Sequence, residues 1–267
     1  VFDSGFMQGV GLFETMRAHG GRIFRLERHL ARLTASARSL GWGVIPDAEV
    51  LREDIEQVLS AVGPEDCRVR LTITTGSLRP AETDVPQLTI VVTSSPGGKY
   101  ADELYKRGVT VVLSRWRQSR FDPTCGHKTT SYFGRLASLR EAHAQGAFEA
   151  LWLTEQEFVA EGAISSVFVV RGGELLTPPL DTPVLPGITR ATVIELAREL
   201  ELPAREQPLR LDDLRLADEA FLTNSMMGVM PVVRLARAPI GTEKPGPLTR
   251  RLADAYAELV ARECGRA

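Results

Sequence analysis

Lysine is scarce in this chain. Of its 32 basic residues only Lys99, Lys106, Lys128 and Lys244 are lysines. Arginine supplies the remaining positive charge, and a guanidinium cannot act as an amine nucleophile because it is never deprotonated in proteins. Amine chemistry, if there is any, falls to four residues. Three of these sit among loop-like residues, in GGKYADE, LYKRG and TEKPG. Lys128 lies in GHKTTSYFGRL, at the mouth of a predicted helix. Composition leaves it open between a solvated lysine and a nucleophile.

Other shortages exclude whole classes. There are three cysteines, Cys67, Cys125 and Cys264, with no CxxC and no metal-ligand spacing. An odd, sparse set argues against a disulfide framework or a metal centre and points to a reduced, cytoplasmic protein. No apolar run is long enough to span a bilayer. No leader is recognisable, although the sequence starts at Val1. A net charge of -2 argues against a general nucleic-acid or membrane-surface role.

What remains is ordinary globular material: 267 residues, 43% hydrophobic and 25% charged. That suits one large or two modest domains. GVGLFETMRAHGGRIFRL reads as a hairpin turning at His19-Gly20-Gly21. Leu26, Leu30, Leu33, Ala37 and Leu40 have helical spacing, and a second helix is predicted over about residues 47–62. CRVRLTITT, QLTIVVTS and GVTVVLSRW read as strands. Arg115, Trp116 and Arg117 lead into a polar stretch without periodicity. The predicted organisation is an N-terminal α/β domain over 1–114, a linker over 115–127 and a larger domain over 128–267. The second half opens with a helix over about 128–144. Strands FEALWLT, EFVAEG, ISSVFVV and ELLTPP, a helix near 189–200, strands EAFLTN and GVMPVVRL, and a terminal helix follow. The class is α+β.

Several residues invite chemistry, each with a plain alternative. In CRVRLTITT, Arg68, Arg70, Thr72 and Thr74 share one face, which lines an anionic pocket or simply faces water. Pro186-Gly187-Ile188-Thr189-Arg190 opens a helix, whose free N–H groups bind phosphate or are capped by Thr189. Thr223-Asn224-Ser225 ends a strand, as a second donor group or as a turn. Glu161, between two apolar runs, needs a partner if it faces inward, which a cationic pyridinium nitrogen would serve, or is a turn acid facing water.

Taken together, these stretches resemble the class IV, or fold-type IV, pyridoxal-phosphate enzymes, which include branched-chain and D-amino-acid aminotransferases and aminodeoxychorismate lyases. The resemblance runs from GFMQGVGLFETMR to GVMPVVRL, without the strand that usually precedes DSGF. It implies a two-domain fold whose larger domain has a strand-rich, barrel-like core. It implies pyridoxal 5′-phosphate as cofactor, with Lys128 forming the internal aldimine and Glu161, in EGAISSVF, pairing with the pyridine nitrogen. Arg32, in HLARL, looks like the phosphate arginine. Gly187, Ile188, Thr189, Thr223, Asn224 and Ser225 match phosphate-side positions, and Glu14, in GLFET, a pocket acid. Ser131 and Ser166 stand where many members have Asn.

The reaction implied is amino transfer from an α-amino acid to a keto acid, with Arg70 and Arg79 as candidates for the substrate carboxylate. CRVRLTITTG and LTNSMMGVMPV also resemble lyase members, so release of pyruvate and 4-aminobenzoate is the alternative. A cofactor-binding protein without turnover is a third. The family is usually homodimeric.

Overall fold

The computed structural model describes residues 2–78, 87–97 and 100–265. They form two compact units, the first made of Val1–Gly98, His127–Tyr132 and Val260–Ala267, the second of Lys99–Gly126 and Phe133–Leu259.

The first unit contains α1 (Ser4–Gln8), β1 (Gly11–His19), β2 (Arg22–Ile23), α2 (Leu26–Ser39), α3 (Ala48–Val62), β3 (Cys67–Thr74) and β4 (Thr89–Pro96). The sheet order is β2-β1-β3-β4, antiparallel throughout. Alternation sets its two faces. Leu12 and Met16 of β1 and Val69, Leu71 and Ile73 of β3 bury against Leu30 and Leu33 of α2 and Leu51 and Ile55 of α3. Arg68, Arg70 and Thr72 take the other face and are less buried, as their period predicts. Asp47 caps α3 by accepting from the backbone of Glu49 at 2.8 Å.

The second unit runs α4 (Asp102–Arg107), β5 (Val109–Gln118), α5 (Phe133–Ala144), β6 (Glu149–Thr154), β7 (Phe158–Gly162), β8 (Ser166–Arg171), β9 (Glu174–Thr177), α6 (Ile188–Glu199), β10 (Ala204–Glu206), β11 (Leu209–Arg210), α7 (Leu211–Arg215), β12 (Glu219–Asn224), β13 (Gly228–Leu235), β14 (Ala238–Pro239) and α8 (Pro247–Glu263), the last through Leu259. Its curled sheet has the order β10-β9-β8-β12-β13-β5-β6-β7-β11, with β14 beside β13. β5 is parallel to both of its neighbours, a register that needs the long connections the chain supplies. Phe168 and Phe221 stack at 4.9 Å within the core.

The predicted elements and the structure differ in two places that matter. The helix does not begin at Lys128 but at Phe133. Thr130 donates its N–H to the Gly11 carbonyl at 2.8 Å, and Leu12 pairs with Thr129. These backbone groups are committed to β1, so they cannot start a helix. Residues 115–118, read as the opening of a linker, continue β5. There Arg115 pairs with Glu141 and Arg117 with Glu157. The compact units interleave in sequence, since 127–132 and 260–267 belong to the first.

Candidate active site

Two groups of functional side chains emerge, one in each unit. In the first, Lys128 rides on an extended segment along the edge of β1 that β3 leaves open. The Phe13 N–H donates to the Lys128 carbonyl at 2.8 Å. Gly11 permits this approach, because a Cβ there would stand 2.9 Å from Thr130 Oγ1 and 3.0 Å from the Ile73 carbonyl. The Lys128 ammonium lies 4.6 Å from the Phe13 ring centroid and 5.8 Å from that of Tyr132. The two rings meet edge to face at 5.2 Å. Aromatic faces attract a cation without neutralising it, as a carboxylate would. The guanidinium carbon of Arg70 lies over the same Phe13 ring at 3.9 Å, and Nε donates to Thr72 Oγ1.

Behind β1, Glu14 faces α2 because it alternates in phase with Leu12 and Met16. It is 1% exposed. Arg32 Nε donates to Oε1 at 2.8 Å and Nη2 to Oε2 at 2.5 Å. His29 Nδ1 lies 2.8 Å from Oε2 and donates to it, since an ionised carboxylate only accepts. Burial opposes ionisation of Glu14, but the Arg32 charge and His29 overcome it and hold the carboxyl down at about 2. Burial lowers His29 against the pull of Glu14, and the charges of Arg32 and Lys128 lower it further. His29 is therefore a neutral donor. The structure thus brings the predicted residues Lys128, Glu14, Arg32 and Arg70 into one unit. Arg79 lies outside the described residues.

In the second unit Glu161 sits on β7, facing its cross-strand partner Trp152 on β6. Its Oε1 accepts from Arg135 at 2.6 Å and Gln118 at 3.3 Å, and Oε2 from the Leu185 N–H at 3.0 Å. The turn after Glu161 is held by Glu149, which is fully buried. Glu149 accepts from the N–H groups of Ala150, Ala163 and Ile164 and from Ser165 Oγ. Burial pushes its carboxyl up to about 7 against these four donors. Burial and Asp122 push the Cys125 thiol up to about 11, so it remains protonated and is no nucleophile at neutral pH.

The same unit has a polar pole around the start of α6. Gly187, not Thr189, is the N-cap, and no side chain caps the helix. A Cβ on Gly187 would stand 2.8 Å from Ser166 Oγ and 3.1 Å from Arg190 Cβ, so glycine lets the chain pack closely there, beside N–H groups that no side chain caps. Ser166 pairs in register with Thr223. Thr223 Oγ1 is buried without a hydrogen-bond partner among the described residues. Buried hydroxyls are rarely left so. Uncapped N–H groups and an orphaned hydroxyl fit a phosphate-bearing ligand. Asn224 is a turn residue here: its Oδ1 accepts from Met226 and Met227 N–H, and its Nδ2 donates to the Ile164 carbonyl.

Sequence reasoning missed Phe13, His29, Gln118, Arg135 and Glu149. Of these only Glu149 leaves a local signal, as the lone acid in the otherwise apolar FEALWLT. Arg135 lies on α5 and Gln118 at the end of β5, and nothing local ties either to Glu161.

The family described as "Amino-transferase class IV" matches residues 11–235. A protein of Methanocaldococcus jannaschii, provisionally named a branched-chain-amino-acid aminotransferase, is 31% identical over 97% of this chain and 90% of its own length. The D-alanine aminotransferase of Listeria monocytogenes serotype 1/2a is 29% identical over 99% of this chain and 92% of its own. Among solved structures, the branched-chain amino acid aminotransferase of Escherichia coli superposes with a TM-score of 0.90, at 28% identity, over 97% of this chain and 88% of that one.

Proposed function

Since this chain belongs to the class IV aminotransferases, we propose that it moves the amino group of an α-amino acid to a keto acid with pyridoxal 5′-phosphate as its cofactor. When bound, the cofactor supplies a ring that takes up the electron pair left as the substrate Cα loses its proton. Lys128 would be the amine that holds it and, as a free base, would carry a proton to and from the substrate Cα. Glu161 holds negative charge against the ring nitrogen and so favours its protonated form. The N–H groups of Ile188 and Thr189, together with the hydroxyl of Thr223, take the phosphate. Arg32, Asn224 and Ser225 belong to the same proposed set. Arg32 gives Nε and Nη2 to Glu14, which holds its guanidinium in place. Arg70, with Arg79, takes the substrate carboxylate.

The observation that carries this reading is the placement of Lys128. It lies inside the matched span, on an extended segment, with its ammonium against two aromatic rings. The naming of both curated relatives as aminotransferases supports amino transfer over the lyase reaction.

We extend the proposal to a homodimer in a reducing, cytoplasmic setting. Phe6 and Met7 on α1 are 78% and 54% exposed, an apolar strip that a second copy would cover. Cys67, Cys125 and Cys264 are free thiols, and no helix among the described residues is long and apolar enough to cross a membrane.

Purified protein loaded with pyridoxal 5′-phosphate should show an absorption band near roughly 410–420 nm that borohydride removes. Adding D-alanine or L-leucine should yield the keto acid and convert the cofactor to its amine form. Full turnover in Lys128→Ala would sink the mechanism. Formation of 4-aminobenzoate from aminodeoxychorismate, without amino transfer, would replace it with the lyase reading.

A further inference from the structure

Arg135 and Glu161 form more than an ordinary ion pair. Exposed pairs contribute little because water screens them and both side chains must be ordered. Here the side chains are 17% and 9% exposed, and both terminal nitrogens of the guanidinium are bonded. Nη1 donates to the Gly162 carbonyl at 3.0 Å, and Nη2 donates to Gln118 Oε1 at 2.9 Å as well as to Glu161 Oε1 at 2.6 Å. Its carbon lies 4.5 Å above the Trp152 ring. Trp152 is itself held by its Nε1–H bond to Ser138 Oγ at 2.9 Å, and it is the cross-strand partner of Glu161. One register therefore positions both the carboxylate and the platform on which its counter-ion rests. Gln118, in turn, donates Nε2 to the Pro183 carbonyl and to Glu161 Oε1.

A carboxylate oxygen has two lone-pair sites. Arg135 and Gln118 occupy both on Oε1. On Oε2 the Leu185 N–H occupies one, which leaves one acceptor site on the whole group. Granted the pyridoxal-phosphate reading above, we propose that Arg135 is a positioning residue for Glu161: it saturates Oε1, locks the carboxylate in one orientation and directs its last acceptor site, on Oε2, to a heteroaromatic N–H.

The test compares pyridoxal 5′-phosphate with its analogue carrying a CH in place of the ring nitrogen. Dissociation constants are measured by absorbance for wild type, Arg135→Ala, Arg135→Lys, Glu161→Gln and Arg135→Ala/Glu161→Gln, and the fold of each is checked by circular dichroism. Arg135→Ala should weaken the natural cofactor about tenfold and the analogue less than about twofold, since only the first presents an N–H to Oε2. The double variant should bind no more weakly than Glu161→Gln alone, because Arg135 acts only through Glu161. Arg135→Lys should recover part of the loss. If Arg135→Ala does not fold, Arg135→Lys carries the same comparison with a smaller expected loss.

The proposal is overturned if the Arg135 variant binds the natural cofactor as wild type does. Equal weakening of both cofactors, or losses that add to those of Glu161→Gln, would also overturn it, since they mark a general structural role. Failure of the wild-type protein to bind pyridoxal 5′-phosphate at all overturns the proposed function instead, and is read from a separate sample.

Discussion

Arg32 grips Glu14 with two nitrogens, Nε on Oε1 at 2.8 Å and Nη2 on Oε2 at 2.5 Å, beneath the strand that carries Phe13. The pair links α2 to β1 across the core of the first unit. Its acid is buried and held at about 2, against 4.5 when unfolded. A carboxyl lowered on folding contributes stability above its unfolded value and loses it as pH falls toward its folded one. The window is therefore pH 4.5 down to about 2, and the contribution is about 3 kcal/mol. His29 adds to the acid sensitivity from pH 6.5 downward, because it too is lowered on folding. Urea midpoints measured across this range should fall with pH in the wild type. They should fall less steeply in Glu14→Gln, which starts lower by about 3 kcal/mol because Arg32 loses its counter-charge. Equal slopes in the two proteins would contradict the assignment.

Thr223→Val should separate stability from binding. The hydroxyl is buried without a partner, so removing it relieves an unsatisfied group and should leave stability unchanged or raise it by about 1 kcal/mol. The same change should weaken pyridoxal 5′-phosphate by about tenfold, if the hydroxyl meets the phosphate. A Tm rise with looser cofactor binding is the expected signature. A Tm loss with unchanged binding would mean that the hydroxyl serves the fold.

Glu149→Gln is nearly isosteric but turns an NH2 group toward backbone donors that both oxygens now serve. It should cost about 1–3 kcal/mol in equilibrium unfolding. The turn that follows Glu161 should also lose protection in hydrogen exchange at Ala163 and Ile164. Unchanged exchange at those amides would remove Glu149 from its role as the anchor of the turn.

Arg70→Ala should raise KM for the amino-acid substrate about tenfold or more while leaving the cofactor band intact, since Arg70 is proposed to take the substrate carboxylate. Steady-state kinetics and the absorption spectrum of the same preparation decide it. A lost band with unchanged KM would point instead to support of Phe13, over which the guanidinium lies.

Much of the architecture is legible locally. Hydrophobic period places the hairpin of β1 and β2, the helices α2 and α3, and the alternating strand β3, because side-chain direction repeats every two residues in a strand and every 3.6 in a helix. It misplaces the start of α5, because Thr129 and Thr130 give their backbone groups to β1, a long-range choice that propensity does not register. The same limit hides Arg135. Its nearness to Lys128 in the chain says nothing of a carboxylate 26 residues further on.

The sequence by itself determined that one lysine among four stands in an ordered series of motifs, with Glu161 after it, and that these lie in a two-part α+β fold. The tertiary structure decided what surrounds each of them. It took Lys128 off a helix and laid it along β1, gave Glu14 to Arg32 and His29, and gave Glu161 to Arg135 and Gln118. The physical reason is that patterning is set by neighbours in the chain, whereas the partner of a buried charge is set by strand order and register, which only the folded sheet supplies.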